Sequence, residues 1–361
     1  MAEWQSGHAA DCKSVYAGSI PTSASNFMKI LITGALGYLG SHASIKLLSK
    51  NYNLVLLDNL SNSNLSVLNK IRNYASKKIP FEKIDIRDTN LLTKAIDKYK
   101  INTVFHFAGL KSASESIDKS EEYFDVNVNG SKCLINSMEE VISGRKTFIF
   151  SSSAAVYGNP IYLPIDESHP LNPINPYGIT KMKVEKELHR IYKTKKNWSI
   201  ACLRYFNPLG SDSSHNFGEN LDSLPDNLMP HISAAAKGKI PFLKIFGDDF
   251  DTLDGTGVRD YIHVLDLIEG HISALIYLNE NNSQIDYFNL GAGKGFSVLE
   301  VLNHFMDKNN IDVPYKIFPR RKGDPESSYA DISKAKKILN WKPEKNIQEM
   351  CLSSWNYQKD K

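Results

Sequence analysis

Tyr177 and Lys181 stand four residues apart in Pro176-Tyr177-Gly178-Ile179-Thr180-Lys181, a stretch whose pattern predicts a helix. On one helical face such a pair is separated by roughly 6 Å at the backbone. An ammonium so placed favours the ionised form of a phenol, and this turns a tyrosine into a general base. A phenol titrates near ~10, so a base acting near pH 7 needs a shift worth ~4 kcal/mol. One positive charge at ~5 Å and an effective dielectric of ~20 supplies ~3 kcal/mol. Lys181 alone therefore falls a little short, and a second nearby cation would close the gap. Tyr-x-x-x-Lys also arises on ordinary surface helices, so its meaning rests on what precedes it.

Upstream, Met28-Lys29-Ile30-Leu31-Ile32-Thr33 is an apolar run without polar alternation, as in a strand covered on both faces. Gly34-Ala35-Leu36-Gly37-Tyr38-Leu39-Gly40 follows, then the apolar-periodic Ala43, Ile45, Leu47 and Leu48 of a helix. A glycine-rich turn from strand to helix lets the backbone approach a pyrophosphate at the positive helix N-terminus. The spacing is G-x-x-G-x-x-G rather than the commoner G-x-G-x-x-G. The next strand, Leu54–Leu57, ends in Asp58, ~20 residues after the turn, where a carboxylate accepts from adenosine ribose hydroxyls. A 2′-phosphate there would meet like charge, so NAD is expected rather than NADP. Asn59 and Asn62 follow on the same loop.

Further strands are expected at Ile84–Ile86, Thr103–Phe107, Thr147–Phe150 and Ile200–Arg204, the third of these delivering Ser151-Ser152-Ser153 at its carboxyl end. His106 lies within an apolar strand and reads as a core histidine. Helices are expected near residues 40–50, 91–99, 120–142 and 176–194. The alternation predicts an α/β fold, a doubly wound parallel sheet of the Rossmann type over residues 28–204, with a smaller C-terminal α/β domain over 205–361. A helix near 264–278 is expected to pack back on the first domain. In the second domain Arg259 and Arg321 are candidate pyrophosphate clamps, because a guanidinium fork suits phosphate oxygens. Asp324 is a candidate for ribose hydroxyls.

The 361 residues carry a net charge of +3, with 42% hydrophobic and 23% charged side chains. That balance points neither to nucleic acid nor to a membrane surface, and no apolar run reaches the ~18 residues of a membrane span. Cys12, Cys133, Cys202 and Cys351 are scattered without metal-ligand or disulfide spacing, which suggests reduced thiols and a cytoplasmic protein, with no metal. Residues 1–27 are rich in Ser, Ala and Gly and lack both periodicity and a secretory-signal pattern. We expect a disordered, non-native leader, with translation starting at Met28. Codons for Gly18-Ser19-Ile20-Pro21 fit the T-arm of a transfer-RNA gene read as protein, and those for Asp11–Ser14 fit its anticodon arm.

In order, Gly34-x-x-Gly37-x-x-Gly40, Asp58, Ser151–Ser153 and Tyr177-x-x-x-Lys181 resemble the extended short-chain dehydrogenase/reductase family. Phe107–Lys111, Phe150–Gly158, Arg204–Pro208, Asn227–Pro230, Gly255–Val264 and Tyr287–Gly293 look like the motifs of its UDP-glucose 4-epimerase branch, over residues 28 to about 355. The resemblance implies an isomerase that holds NAD and interconverts UDP-glucose and UDP-galactose by transient oxidation at C4, with Tyr177, Ser153 and Lys181 catalytic. It assigns cofactor contacts to Gly34, Gly37, Tyr38, Leu39, Gly40, Asp58, Asn59, Asn62, Ser63, Asp85, Ile86, Phe107, Ala108, Gly109, Lys111, Ser151, Tyr177, Lys181 and Phe206. Substrate contacts fall on Lys111, Ser153, Tyr177, Phe206, Asn207, Asn227, Leu228, Lys244, Phe246, Arg259, Arg321, Asp324 and Ser328. It also implies a homodimer built through helices near 120–142 and 176–194.

The chain departs from the pattern at Val126, where relatives carry a cofactor-contacting Asn. Ser328 stands where relatives strict for the two hexoses carry a bulky aromatic, leaving room for a 2-acetamido group unless Tyr329 fills it. UDP-GlcNAc and UDP-GalNAc are therefore expected as additional substrates. A 4,6-dehydratase needs an Asp-Glu acid/base pair just after the strand-end hydroxyl, and here those positions are Ala154 and Ala155. Alternatives left open are an epimerase of UDP-glucuronate or of UDP-arabinose/xylose, and an inactive NAD-sensing binding protein.

Overall fold

The apolar run that opens the folded chain forms β1 (Lys29–Thr33), and the glycine turn after it leads into α1 (Tyr38–Ser49). The structure is a computed structural model describing residues 28–221, 226–281, 283–321, 323–359 and 361. The expected leader, residues 1–27, lies outside the described residues. The chain continues through β2 (Asn53–Asp58), α2 (Leu65–Ala75), β3 (Phe81–Lys83), α3 (Thr89–Tyr99) and β4 (Thr103–His106). Two short helices, α4 (Glu115–Asp118) and α5 (Ser120–Tyr123), precede a π turn at Phe124–Asn129 and α6 (Gly130–Val141). Then come β5 (Lys146–Ser153), a 3₁₀ turn at Ala154–Val156, α7 (Pro176–Thr194) and β6 (Trp198–Tyr205).

The C-terminal part comprises β7 (Asn207–Leu209), α8 (Leu228–Ala236), β8 (Leu243–Phe246), β9 (Val258–His263), α9 (Val264–Glu280) and β10 (Gln284–Leu290). It closes with β11 (Gly295–Ser297), α10 (Val298–Asn309), β12 (Tyr315–Phe318), β13 (Ser327–Ser328), α11 (Ser333–Ile338) and α12 (Ile347–Gln358).

Seven strands form one parallel sheet in the order β10-β6-β5-β4-β1-β2-β3. Its strands are apolar on both faces because helices cover both, and their side chains divide between two large buried clusters. Strand order reverses between β1 and β4, opening the crevice in which such sheets bind ligands. A smaller assembly pairs β9 with β7, β11 and β13, and β8 with β12, around a third cluster that includes Ile232, Phe305 and Met350.

The structure corrects two expectations, the strand at Ile84–Ile86 and the single helix over 120–142, and adds two elements, α2 and β10. Ile84–Ile86 lies beyond the end of β3, whose pairing with β2 stops at Lys83. The helix α2 has no clear apolar stripe in the sequence, because only Leu68 and Ile71 of its eleven residues are buried. Residues 284–290 return to the sheet as β10 beside β6, and α9 packs on α1, β5 and β6. The single helix expected at 120–142 is interrupted by the π turn. That turn carries Asn127 inward, where its Oδ1 accepts from Leu110 N at 2.8 Å and its Nδ2 donates to Leu110 O at 3.0 Å and Thr180 Oγ1 at 3.1 Å. A widened turn of this kind typically marks a functional position.

Asn127→Ala leaves both polar groups of Leu110 without their partner, and is expected to destabilise the protein by about 3 kcal/mol. The check is the urea midpoint at unchanged slope. A second expectation concerns acid. His106 sits between Thr33 Oγ1 (2.7 Å) and Ser131 Oγ (2.8 Å), and burial, with Lys181 nearby, pushes it down to about 3. Burial likewise lowers His263 to about 3 and His271 to about 4. An unfolded chain takes up these protons near ~6.5 whereas the folded one resists, so stability complete above that pH is lost on acidification. Each histidine contributes a slope of up to about 1.4 kcal/mol per pH unit. Melting temperatures measured from pH 7 to 4.5 should fall steeply; a flat profile would contradict neutral burial.

Candidate active site

The turn after β1 is built for close backbone packing. Gly34 has φ +66°, and a Cβ there would lie 2.8 Å from Ala108 N; at Gly40 it would lie 2.0 Å from Gly34 O. Side chains are thus excluded where α1 meets β1 and β4. Gly37 caps α1 without a side-chain hydrogen bond, and the first turn holds no acidic residue, so its amides remain available to an anion. Asp58, buried at the end of β2, accepts from Leu36 N (3.0 Å), Leu60 N (2.9 Å) and Ser63 Oγ (2.8 Å). It locks the turn to the β2 loop and, since a carboxylate offers about four acceptor sites, retains about one, on Oδ2, for a ribose hydroxyl. A cradle a Cβ would fill, an uncapped helix start and a carboxylate at the second strand's end fit NAD.

Farther along the crevice, Asn59 Nδ2 donates to Asp85 Oδ2 at 3.0 Å, and Arg87 grips Asp85 through Nε at 2.9 Å and Nη2 at 2.8 Å. Those bonds, Arg87's first, hold the Asp85 carboxyl well below the usual range despite partial burial. Asn62 is exposed on the same loop. At two assigned positions the side chain is engaged elsewhere, which leaves the backbone to face the crevice. The Tyr38 hydroxyl is engaged by Gly210 O at 2.7 Å, and the Ile86 side chain fills the space above Gly130 of α6. Leu39 is half-buried in the first turn of α1, and Phe107, Ala108 and Gly109 follow β4 directly.

Opposite lies α7. Asn175 caps it by accepting from Gly178 N at 2.8 Å, with Pro176 opening the first turn. Tyr177 is half-buried as a residue, its phenol deep in the cleft. Lys181 is buried, its Nζ donating to Ser151 O at 2.7 Å and lying 5.8 Å from the Tyr177 ring centre. Ser153 ends β5, and its side chain is within reach of the phenol. Tyr177, Lys181, Ser151 and Ser153 therefore converge at the carboxyl edge of the sheet, beside Gly109.

The electrostatics differ from the sequence arithmetic. Burial pushes the Tyr177 phenol up, opposed by the Ser153 hydrogen bond. Burial also lowers Lys181 to about 8, with Glu185 acting in the other direction. Desolvation disfavours both charged forms and outweighs the attraction that their separation alone would give. In the ligand-free chain Tyr177 is thus a neutral phenol.

The positions assigned to a nucleotide lie on β7, β8, β9 and the loops around them. Phe206 is buried, and Asn207 Nδ2 donates to Asp260 O at 2.8 Å. Arg259 Nη2 pairs with Asp324 Oδ1 at 2.6 Å, so two assigned contacts hold each other. Lys111 Nζ pairs with Glu219 Oε1 at 2.5 Å, and Asn227 Nδ2 donates to the same oxygen at 2.8 Å. Arg321 stacks 4.0 Å from the Phe246 ring centre, while Lys244 lies 5.3 Å from that of Phe318. Leu228 is half-buried at the start of α8. Such partly exposed pairs are worth about 0–1 kcal/mol, so an anionic ligand can displace the acids at little cost. Ser328 pairs in register with Arg259, whereas the Tyr329 ring packs at Gly295.

Residues missed by the sequence reading are Asn127 and Glu219. The first had a signal, an Asn between two valines on a helical stretch; its neighbour Val126 is only half-buried. Glu219 had none, because its partners are remote in sequence.

A family described as GDP-mannose 4,6 dehydratase matches residues 31–353. Ala154 and Ala155 nevertheless stand where a dehydratase needs its acid and base. The UDP-glucose 4-epimerase of Pasteurella multocida is 45% identical over 333 residues, covering 92% of this chain and 98% of its own. That of Bacillus subtilis is 43% identical over 331 residues, covering 92% and 97%. A solved UDP-glucose-4-epimerase from Stenotrophomonas maltophila, with bound NAD and formylated UDP-arabinopyranose, superposes with TM-score 0.89 at 40% identity, covering 92% of this chain and 98% of that one. By descent and by the geometry of its crevice, the chain belongs to this nucleotide-sugar family and, within it, to the UDP-glucose 4-epimerases.

Proposed function

We propose that this protein is an NAD-dependent isomerase that interconverts UDP-glucose and UDP-galactose, with Tyr177 moving the proton of the sugar 4-hydroxyl. The convergence of Tyr177, Lys181 and Ser153 at the end of β5, facing the glycine turn, carries the reading. Bound NAD supplies a reversible acceptor for the hydrogen on C4. The Tyr177 phenolate takes the hydroxyl proton, and Ser153 hydrogen-bonds the 4-oxygen as the carbonyl forms. Lys181, held by Ser151 O, keeps positive charge beside the phenolate and binds the cofactor ribose. Tyr177 then returns its proton when the opposite face of the ketose is reduced.

Asn207, Asn227, Leu228, Phe246, Arg259, Arg321 and Asp324 hold the UDP, with Lys111, Lys244 and Phe206 at the edges of the same cleft. Affinity lodged in the nucleotide leaves the hexose free to turn. Asp58, Asn59, Ser63 and Asp85 serve the adenosine end of the cofactor. Two further parts of the reading concern assembly and compartment. Homodimerisation through α5, α6 and α7 is supported by their adjacency on one face of the sheet. A cytoplasmic location is supported by the free thiols of Cys133, Cys202 and Cys351.

A second substrate pair is favoured by one observation. The Tyr329 ring packs against Gly295, which supports leaving the space beside Ser328 to the sugar. UDP-GlcNAc and UDP-GalNAc then fit as well.

Purified protein given UDP-galactose without added cofactor should form UDP-glucose. Tyr177→Phe should lower kcat by about 10²–10⁴-fold, the usual range for a positioned acid–base group, while bound NAD, read by absorbance after denaturation, is retained. Undiminished turnover by that variant would refute the assignment. Ser328→Tyr should abolish interconversion of the acetamido pair and spare the hexose pair; failure of the parent protein to accept acetamido sugars would end this second reading.

A further inference from the structure

Beneath the strand-end hydroxyls lies a buried ion pair that the proposed chemistry does not use. The side chains of Arg204 on β6 and Glu185 on α7 are 4% and 2% exposed. Arg204 donates through Nε to Glu185 Oε1 at 3.0 Å and through Nη2 to Oε2 at 2.7 Å. Ser152 Oγ on β5 donates to the same Oε1 at 2.6 Å. One carboxylate therefore joins three elements. Beyond it, Arg204 Nη1 donates to Tyr157 Oη at 3.0 Å and to Glu167 O at 3.3 Å. Tyr157 Oη in turn donates to Asn289 Oδ1 on β10 at 2.6 Å.

Such a pair is a poor source of net stability, because desolvation offsets the attraction and apolar side chains of similar volume do as well. A bidentate fork supplies geometry instead. Glu185 is one turn beyond Lys181 and two beyond Tyr177 on a single uninterrupted helix. Ser152 sits between Ser151, whose carbonyl holds Lys181 Nζ, and Ser153. Whatever sets Glu185 against Ser152 thereby sets the proton-transferring pair against the strand end. A misplacement of about 1 Å in such a constellation can cost roughly 10²-fold in rate.

We infer that Glu185 and Arg204 are positioning residues for the epimerisation, a clamp that fixes how far α7 slides along the end of β5. The inference rests on the reading of Tyr177 given above. Its test is the double variant Glu185→Met/Arg204→Met, which removes both charges and keeps the volume. The expected result is a melting temperature near that of the wild type, retained NAD, KM within about twofold and kcat reduced tenfold or more. Ser152→Ala, which cuts only the tie to β5, should lower kcat several-fold at unchanged melting temperature. A folded double variant with wild-type kcat overturns the clamp. If the double variant does not fold, Ser152→Ala decides, and unchanged kcat there overturns it. Wild-type protein measured alongside separates the two claims. An inactive wild type overturns both, whereas an active wild type with an equally active variant overturns the clamp alone.

Discussion

Desolvation governs this site. The groups to which the chemistry is assigned, the Tyr177 phenol and the Lys181 ammonium, sit where water is scarce, and each is driven toward its neutral form. Lys181, lowered to about 8, remains charged near neutrality but with a narrow margin. It keeps that charge through the Ser151 carbonyl and the negative Glu185 one turn away. At Tyr177 the Ser153 hydrogen bond opposes burial without overcoming it. A phenolate therefore has to await a further positive charge, which an oxidised nicotinamide ring would supply beside Tyr177 if the cofactor's pyrophosphate lies at the glycine turn. Basicity that appears only when the cofactor is present keeps the tyrosine protonated in the empty protein.

The sheet is arranged to meet that constraint. Parallel strands deliver Thr33, His106, Ser153 and Tyr205 to one edge in paired register. The edge is then tightened by polar side chains that reach backward. Asn127 holds the loop after β4, Asp58 holds the glycine turn, and the buried carboxylate of Glu185 ties α7 to β5 and β6. Buried polar groups this well satisfied specify one arrangement, since any slide leaves a donor or acceptor unpaired.

On the nucleotide side the constraint is the reverse. Lys111, Asn227 and Arg259 are already engaged by Glu219 and Asp324. Two of the cations assigned to the diphosphate are thus held by acids, while Arg321 and Lys244 rest against aromatic rings. The pairs being replaced are weak and partly exposed, so the exchange favours a ligand able to satisfy several at once.

Much of this was legible in the residues. The apolar strands, the turn from Gly34 to Gly40, Asp58, the Ser151–Ser153 strand end and the helix bearing Tyr177 and Lys181 are encoded locally, because periodicity, glycine geometry and i,i+4 spacing act over a few residues. α7 begins and ends where its sequence pattern predicts. What only the tertiary structure decided involves partners far apart in the chain. Asn127 meets Leu110 and Thr180, Glu185 meets Ser152 and Arg204, Glu219 meets Lys111, and residues 284–290 complete the sheet beside β6. The sign of the Tyr177 shift belongs to the same class. The spacing of two charges can be read along a helix, but the loss of water around them depends on everything packed against that helix.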